Sequence, residues 1–241
     1  ITIASSEDKN FNYIPKDYTL ENNIDYFHVT SNNTIFGTQI KKFYKGDIPL
    51  ACDMSSDIFS RKVNIEDFDL IYAGAQKNMG PAGTTLYICK KEIFGKSSVP
   101  IPTMLDLKTH SDKDSMFNTP PVFPIYASML NLRWLKKIGG LSFIEKQNEK
   151  KSDLIYKQID DSSLFRGTAN IEDRSSMNVT FTLTNDALNE TFNKMLVEAN
   201  INGLKGHRSV GGFRASMYNA MPYESVNILV EIMRELENKK G

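Results

Sequence analysis

The stretch Asp69-Leu-Ile-Tyr-Ala-Gly-Ala-Gln-Lys-Asn-Met-Gly-Pro-Ala-Gly83 carries the strongest structural signal in the chain. Its first half is an apolar run that ends in small residues, which predicts a buried strand. Lys77 follows the strand, and its small neighbours leave room for a planar ligand. A lysine forms an imine only when its amine is unprotonated, which requires partial burial or a nearby cation. Taken alone, a lysine in a turn is typically solvated, so both interpretations stand at this point.

Other apolar runs accompany this strand in the first half of the chain. Gly, Pro, Asn and Ser separate them, as is typical of strands bounded by turns. Several runs are continuously apolar, which favours a parallel sheet covered on both faces. The predicted strands cover residues 25–30, 48–53, 69–75 and 84–89.

The second half of the chain mixes helical and strand patterns. Helices are predicted over residues 124–137, 141–159, 188–199 and 226–233, and strands over residues 177–183 and 210–218. Gly139 and Gly140 interrupt this order, and we place a domain boundary there. We therefore expect an α/β chain with a large, mainly parallel domain over residues 1–139 and a small α+β domain over residues 140–241.

Asp53 is the second candidate functional residue. An apolar run delivers it to the carboxyl end of its predicted strand, and ligands of α/β sheets bind outside that edge. An aspartate in this place can keep a pyridine nitrogen protonated and so turn the ring into an electron sink. An aspartate that caps a helix or forms an Asx turn is the alternative.

A third candidate is the basic cluster of His207, Arg208 and Arg214 in a glycine-rich segment. The guanidinium fork matches the geometry of carboxylate and phosphate groups, so the cluster predicts an anion site. An exposed basic hairpin is the alternative.

Asn118 and Thr119 form a fourth candidate, because both side chains can donate to an anion. They precede Pro120 and Pro121, and two prolines before a helical pattern indicate a stiff loop with a defined helix start. A loop that only begins the helix is the alternative.

Composition and charge argue against several function classes. Lys+Arg and Asp+Glu both number 29, so no net charge attracts nucleic acid or an anionic membrane. Cys52 and Cys89 lack the spacing of a disulfide scaffold or zinc module. No apolar run approaches membrane-spanning length, and no basic-then-apolar leader opens the chain. We expect a cytoplasmic protein without a metal site that binds neither membranes nor nucleic acid.

Three remaining residues are not assigned to a functional site. His28 and His110 show no metal-ligand spacing and are predicted to be structural or surface residues. Trp134 lies on the apolar face of a predicted helix and is expected in the core.

Taken in order, these pieces resemble the phosphoserine aminotransferases of the class-V pyridoxal-phosphate aminotransferase family. The resemblance covers nearly the whole chain. Each segment is weakly specific alone, but the ordered set is highly specific. The segments cover residues 5–10, 33–37, 53–60, 72–83, 115–121, 206–215 and 218–222.

The resemblance implies the fold of type-I pyridoxal-phosphate transferases, which is that of the aspartate aminotransferases. It implies that Lys77 is the Schiff-base lysine and moves a proton between the substrate Cα and C4′ of pyridoxal 5′-phosphate. Asp53 matches the partner of the ring nitrogen in that cofactor. Thr34 and Gln76 match positions that contact the cofactor.

The resemblance also implies a homodimer with shared active sites. Asn118 and Thr119 match a pair that reaches across the interface to the cofactor phosphate of the other subunit. Arg214 matches the residue for the α-carboxylate, and His207 with Arg208 matches the site of the distal phosphate or carboxylate. One site would then serve small anionic amino and keto acids, namely phosphoserine with glutamate in serine biosynthesis and, in some bacteria, a precursor in pyridoxine biosynthesis.

About a third of the family's length, at its N-terminal side, has no counterpart in this sequence. That part carries the helix N-terminus that cradles the cofactor phosphate, the aromatic residue stacked on the ring, and a His-Arg pair lent by the neighbouring subunit. We expect an incompletely represented enzyme, because every downstream position is intact. Two alternatives stay open: a fragment that binds ligand without turnover, and a related enzyme that acts on uncharged amino acids.

Overall fold

The computed structural model describes residues 1–21, 23–208 and 210–240, with nine strands and five α-helices in that part of the chain. The strands are β1 (Phe27–Thr30), β2 (Asn32–Asn33), β3 (Thr38–Gln39), β4 (Leu50–Asp53), β5 (Leu70–Gly74), β6 (Thr85–Cys89), β7 (Phe165–Gly167), β8 (Asn178–Leu183) and β9 (Phe213–Ser216). The α-helices are α1 (Leu107–Ser111), α2 (Val122–Lys137), α3 (Gly140–Asp161), α4 (Asn189–Glu198) and α5 (Tyr223–Lys240). Short 3₁₀ helices cover Glu7–Lys9, Ile65–Asp67, Lys91–Ile93, Thr103–Leu105, Ile171–Asp173 and Asp186–Leu188.

The main sheet has four strands in the order β1-β4-β5-β6. β1, β4 and β5 are parallel, and β6 runs antiparallel to β5. The predicted α/β class with a mainly parallel sheet is therefore confirmed. Because parallel strands end at the same edge, the residues that follow β4 and β5 meet there.

One face of this sheet forms the first hydrophobic core. Leu50 and Cys52 of β4 pack with Ile71 and Ala73 of β5, and all four are almost fully buried. The alternate residues of the same strands therefore point to the opposite face. This alternation places Asp53 on the face away from the core.

A second core lies in the C-terminal half. The antiparallel sheet β7-β8-β9 packs against α3, α4 and α5. Its centre is a group of aromatic rings whose nearest pair, Phe192 and Phe213, has ring centroids 4.9 Å apart. Because Phe213 precedes Arg214 on β9, this core fixes the position of the arginine backbone.

Most of the predicted elements are confirmed within a few residues, although α5 extends to Lys240, well beyond its predicted end at residue 233, and three further details differ. The strand predicted over residues 210–218 is limited to β9, because Gly211 and Gly212 adopt positive φ values of 72° and 58° in a tight turn. Trp134 is 36% exposed, so its placement in the core was wrong. The short elements β2, β3, β7 and α1 were not predicted, since runs of two to five residues carry no periodic signal.

Gly139 and Gly140 lie in the turn between α2 and α3, with φ values of 119° and 67°. The domain boundary at this turn stays a prediction. None of the helices in the described residues is long and apolar enough to cross a membrane.

We predict that Phe192→Ala lowers the free energy of unfolding by about 3–5 kcal/mol, because it opens a cavity in the aromatic core. Val197→Ala is the control, since Val197 lies on the same helix and is 69% exposed. Chemical denaturation followed by circular dichroism measures both. Equal losses for the two variants would contradict this description of the core.

Candidate active site

Asp53 ends β4 at the carboxyl edge of the main sheet. The backbone amide of Ser55 donates to its Oδ1 at 2.8 Å, and this bond fixes one carboxylate oxygen. The hydroxyl of Ser55 in turn accepts from the amide of Gly74 on the neighbouring strand at 3.0 Å. Asp53 is therefore held by a turn that is itself tied to β5.

Lys77 lies in a closed turn that follows β5. The amides of Met79 and Gly80 donate to the carbonyl of Ala75 at 3.1 and 2.7 Å, and the amide of Ala75 donates to Thr84 at 3.0 Å. A side chain at Gly80 would collide with Ser128 of α2, so the glycine permits the helix to approach the turn closely. The turn is thus fixed from within and from the side of α2.

Asn78 attaches this turn to other parts of the molecule. Its side chain donates to the carbonyl of Ile58 at 2.5 Å and accepts from the backbone amide of Asn219 at 2.8 Å. Asn131 of α2 donates to the carbonyls of Asn78 and Met79 at 3.4 and 2.8 Å. The residue beside Lys77 is therefore held by three separate segments.

The amine of Lys77 is near three other predicted site residues. Its Nζ donates to Oγ1 of Thr34 at 2.9 Å. Burial lowers the pKa of Lys77, the charge of Asp53 opposes that shift, and the charge of Arg214 adds to it. The structure therefore brings Lys77, Thr34, Asp53 and Arg214 into one electrostatic neighbourhood.

Thr34 lies in a turn that packs against β8. The hydroxyl of Thr180 donates to the carbonyl of Phe36 at 2.9 Å, and the amide of Ser175 donates to Gly37 at 2.9 Å. Gly37 has a φ of 74°, and a side chain there would collide with Thr180. The close approach of this turn to the C-terminal sheet therefore requires glycine.

Arg214 projects from β9 toward the same turn. Its guanidinium donates to the carbonyl of Thr34 at 3.5 Å, and its backbone amide donates to Leu204 at 2.7 Å. Within the described residues its Nε is buried and has no hydrogen-bond partner. An unsatisfied buried donor is costly, and a bound carboxylate that accepts from the guanidinium fork would satisfy it.

The other predicted site residues have looser surroundings. Gln76 is exposed and its amide lies against Gly74. His207 is partly buried and Arg208 is exposed, in a compact turn where the carbonyl of His207 accepts from Val210 and Gly211 at 2.9 and 2.8 Å. Ser209 lies outside the described residues.

Asn118 and Thr119 are both exposed in the loop before α2, and Asn118 donates to the carbonyl of Thr119 at 3.1 Å. No hydrogen bond or ion pair in the described residues joins this loop to Lys77. Their role at the cofactor phosphate stays a prediction.

Sequence reasoning missed a group of buried amides that join the two cores. Asn32 donates to Ser56 at 2.9 Å and to Asn178 of β8 at 2.8 Å. Asn148 of α3 donates to Asn219 at 2.9 Å, and Asn219 donates to the carbonyl of Phe59 at 2.9 Å. No local pattern marks these residues, since each amide acquires its role only through partners distant in sequence.

Lys151 strengthens the same junction. It is 1% exposed, and its ammonium donates to the carbonyls of Met217, Tyr218 and Met221 at 3.2, 3.0 and 3.1 Å. Burial lowers its pKa to about 8. Through these bonds α3 holds the segment that carries Asn219.

The residues at this edge fit a flat, electron-withdrawing ring with a reactive carbonyl. Lys77 offers an amine with a lowered pKa, and Asp53 offers a fixed carboxylate on the same edge. The small residues Ala73, Gly74 and Ala75 lead into the turn. Nε of Arg214, which has no hydrogen-bond partner among the described residues, is a candidate donor to a substrate anion.

Comparison with protein families supports this assignment. The chain matches the family described as "Aminotransferase class-V" over residues 2–229. It is 62% identical over 239 residues to a phosphoserine aminotransferase of Flavobacterium psychrophilum, covering 99% of the chain and 67% of that protein. The chain thus spans about two thirds of the length of this relative.

Solved structures give the same result. The phosphoserine aminotransferase of Bacillus circulans subsp. alkalophilus matches with a TM-score of 0.96 at 44% identity, covering 100% of the chain and 68% of that protein. The phosphoserine aminotransferase of Trichomonas vaginalis, solved with pyridoxal phosphate bound, matches with a TM-score of 0.88 at 33% identity, covering 92% of the chain and 64% of that protein. The fold of type-I pyridoxal-phosphate enzymes is therefore confirmed.

The electrostatic neighbourhood of Lys77 predicts opposite effects for two substitutions. In the cofactor-free protein, Asp53→Asn should lower the pKa of Lys77 further, because it removes a negative charge that opposes the effect of burial. Arg214→Gln should raise the pKa, because it removes a nearby positive charge. The pH dependence of amine acetylation at Lys77, read by peptide mass spectrometry, measures both shifts.

Asp69→Asn is the control for the removal of a distant charge. Asp69 lies just before β5, at the end of that strand opposite to Lys77. The substitution should leave the labelling profile of Lys77 unchanged. Shifts of the same sign for Asp53→Asn and Arg214→Gln would show that the two groups do not flank the amine.

Proposed function

The chain belongs to aminotransferase class V, whose members use pyridoxal 5′-phosphate, and we propose that its protein exchanges an amino group between O-phospho-L-serine and 2-oxoglutarate. The products are 3-phosphohydroxypyruvate and L-glutamate, and the reaction is reversible. The single observation that carries this proposal is the position of Lys77 among Thr34, Asp53 and Arg214. The similarity to phosphoserine aminotransferases supports the choice of substrate.

Four residues of this chain are proposed to hold the cofactor at the sheet edge. Asp53 faces the ring nitrogen, where its negative charge favours a protonated ring. Thr34 and Gln76 would contact the cofactor, and Lys77 would make the covalent link. The cofactor supplies an electron-withdrawing ring and an aldehyde that condenses with amines.

Lys77 is proposed to act twice. Its lowered pKa leaves more of the amine unprotonated near neutral pH, which is the form that reacts with a carbonyl. With the cofactor bound, the free amine of Lys77 would also be the base that takes the proton from the substrate Cα and delivers it to C4′ of the cofactor. A base with a pKa closer to the working pH serves both directions.

The basic residues are proposed to orient the substrate. The fork of Arg214 binds the α-carboxylate, and its bond to the carbonyl of Thr34 sets its direction. His207 and Arg208 bind the distal anion, which is a phosphate in phosphoserine and a carboxylate in glutamate. Because both substrates carry an anion at each end, one site serves both halves of the reaction.

The assembly and the biological setting belong to the same proposal. We infer a homodimer in which Asn118 and Thr119 reach the cofactor phosphate of the other subunit. Their exposure in the loop before α2 supports this placement. We also infer a cytoplasmic enzyme of serine biosynthesis with a second role in pyridoxine biosynthesis. An aminotransferase fragment that binds ligand without turnover is the second candidate, since the chain covers 67% of its relative.

We predict that Lys77→Ala lowers transamination by at least about a thousandfold in the natural protein, because it removes the only proposed base. Borohydride treatment with pyridoxal phosphate should leave a stable adduct on Lys77, located by mass spectrometry. Lys91→Ala is the control, since Lys91 is exposed just after β6. An adduct on another lysine, including the buried Lys151, would contradict the assignment.

The same labelling on the isolated 241-residue chain separates the two candidate functions. An adduct without turnover in the chain, together with turnover in the natural protein, supports a transaminase of which this chain is part. An adduct without turnover in both favours the ligand-binding fragment.

The distal anion site predicts a change of substrate preference. His207→Gln and Arg208→Gln should each raise the KM for phosphoserine roughly 10- to 100-fold, because each removes a charge-assisted hydrogen bond. Activity with alanine should stay nearly unchanged. Lys205→Gln is the control, since Lys205 is an exposed cation beside the same turn. A natural enzyme active on alanine or glyoxylate but inactive on phosphoserine would contradict the proposed substrate.

A further inference from the structure

The face of the main sheet that carries Asp53 also carries two aromatic side chains outside the proposed mechanism. In the parallel register, Asp53 is paired with Tyr72 of β5, and His28 of β1 is paired with Ala51 of β4. Because side chains alternate along a strand, His28, Ala51, Asp53 and Tyr72 all lie on the face opposite the core. Ala51 has only a methyl group, so β1 and β5 side chains can meet above it.

His28 and Tyr72 make that contact. Nε2 of His28 lies 3.0 Å from the hydroxyl of Tyr72, and the two rings are stacked with centroids 5.9 Å apart. The contact therefore bridges β4, the strand that ends in Asp53, because His28 lies on β1 and Tyr72 on β5. Burial raises the pKa of Tyr72, and the negative charge of Asp53 raises it further.

We propose that Tyr72, held by His28, is a positioning residue that braces the carboxylate of Asp53 where it faces the cofactor ring. When Nε2 of His28 carries the proton, it donates to the oxygen of Tyr72 and leaves the tyrosine proton for Asp53. The amide of Ser55 already holds Oδ1 from the other side of the turn. Together the two donors restrict rotation of the carboxylate.

His28 is exposed, as expected for a structural or surface residue, and this arrangement adds a positioning role to it. Spacing in the sequence does not predict this contact, because His28 and Tyr72 lie on two strands that are separated by β4. The inference rests on the proposed function, since it assumes that Asp53 faces the ring nitrogen. It deepens that proposal by adding two residues that act through Asp53.

The test uses the natural holoenzyme with Tyr72→Phe, and Tyr87→Phe as the matched control. Tyr87 lies on the same face one strand further, with its ring centroid 6.5 Å from that of Tyr72. Tyr72→Phe should lower kcat about tenfold and leave the KM of both substrates within about twofold, because substrate contacts are unchanged. Tyr87→Phe should leave both constants near those of the natural enzyme.

A spectroscopic readout separates this role from a general structural effect. If the carboxylate of Asp53 is held less firmly, the ring nitrogen of the bound cofactor is less fully protonated. The ring then withdraws electrons more weakly, so the groups attached to it lose their protons only at higher pH. The pH midpoint of the visible absorbance of the bound cofactor should therefore rise by about one unit in Tyr72→Phe. It should not move in Tyr87→Phe.

A pair of substitutions at His28 tests the same contact if Tyr72→Phe fails to fold. His28→Gln keeps an amide donor for the tyrosine and should retain most of the natural kcat and absorbance midpoint, whereas His28→Ala should resemble Tyr72→Phe. Equal behaviour of Tyr72→Phe and Tyr87→Phe, or of the two His28 variants, would overturn the inference. A natural enzyme that fails to transaminate phosphoserine refutes the proposed substrate instead, and the absorbance comparison still decides the role of Tyr72.

Discussion

Parallel hydrogen bonding between β4 and β5 determines where the reactive groups meet. The register pairs Asp53 with Tyr72, so Asp53 and the turn that begins after Gly74 leave the sheet at the same edge. A slip of one residue in β4 would turn its side chains to the opposite face. Asp53 would then enter the apolar core, where an unpaired carboxylate is strongly disfavoured. The hydrophobic pattern of the two strands therefore also determines the face of the sheet on which Asp53 lies.

The C-terminal core contributes to the site through buried amides rather than through an apolar interface. Asn219 meets Asn78 beside Lys77, and Asn178 meets Asn32 near the turn of Thr34. Breaking either contact leaves a buried polar group unsatisfied, at a cost of about 1–3 kcal/mol. Such contacts specify one relative arrangement, because a shift of the partner leaves each amide without its bond. This is how β9 can present Arg214 to a turn that belongs to the N-terminal half.

The sequence predicted the strand that carries Asp53 and the strand that leads to Lys77, because continuous apolar runs and turn residues are local signals. It also predicted the family, since the ordered motifs are specific as a set. It did not predict the junction of Asn148 and Asn219, whose partners are distant in sequence. The sequence also placed the exposed Trp134 in the core, because helical periodicity shows that a face is apolar but not what covers it.

We propose that Asp53 keeps the ring nitrogen of the cofactor protonated while Lys77 holds the ring at the same edge. Nuclear magnetic resonance of the natural protein loaded with pyridoxal phosphate labelled with ¹⁵N in the ring tests this directly. We expect the chemical shift of a protonated pyridine nitrogen near neutral pH, and a move toward the unprotonated value in Asp53→Asn. An unprotonated shift in the natural protein, or no change in Asp53→Asn, would contradict it.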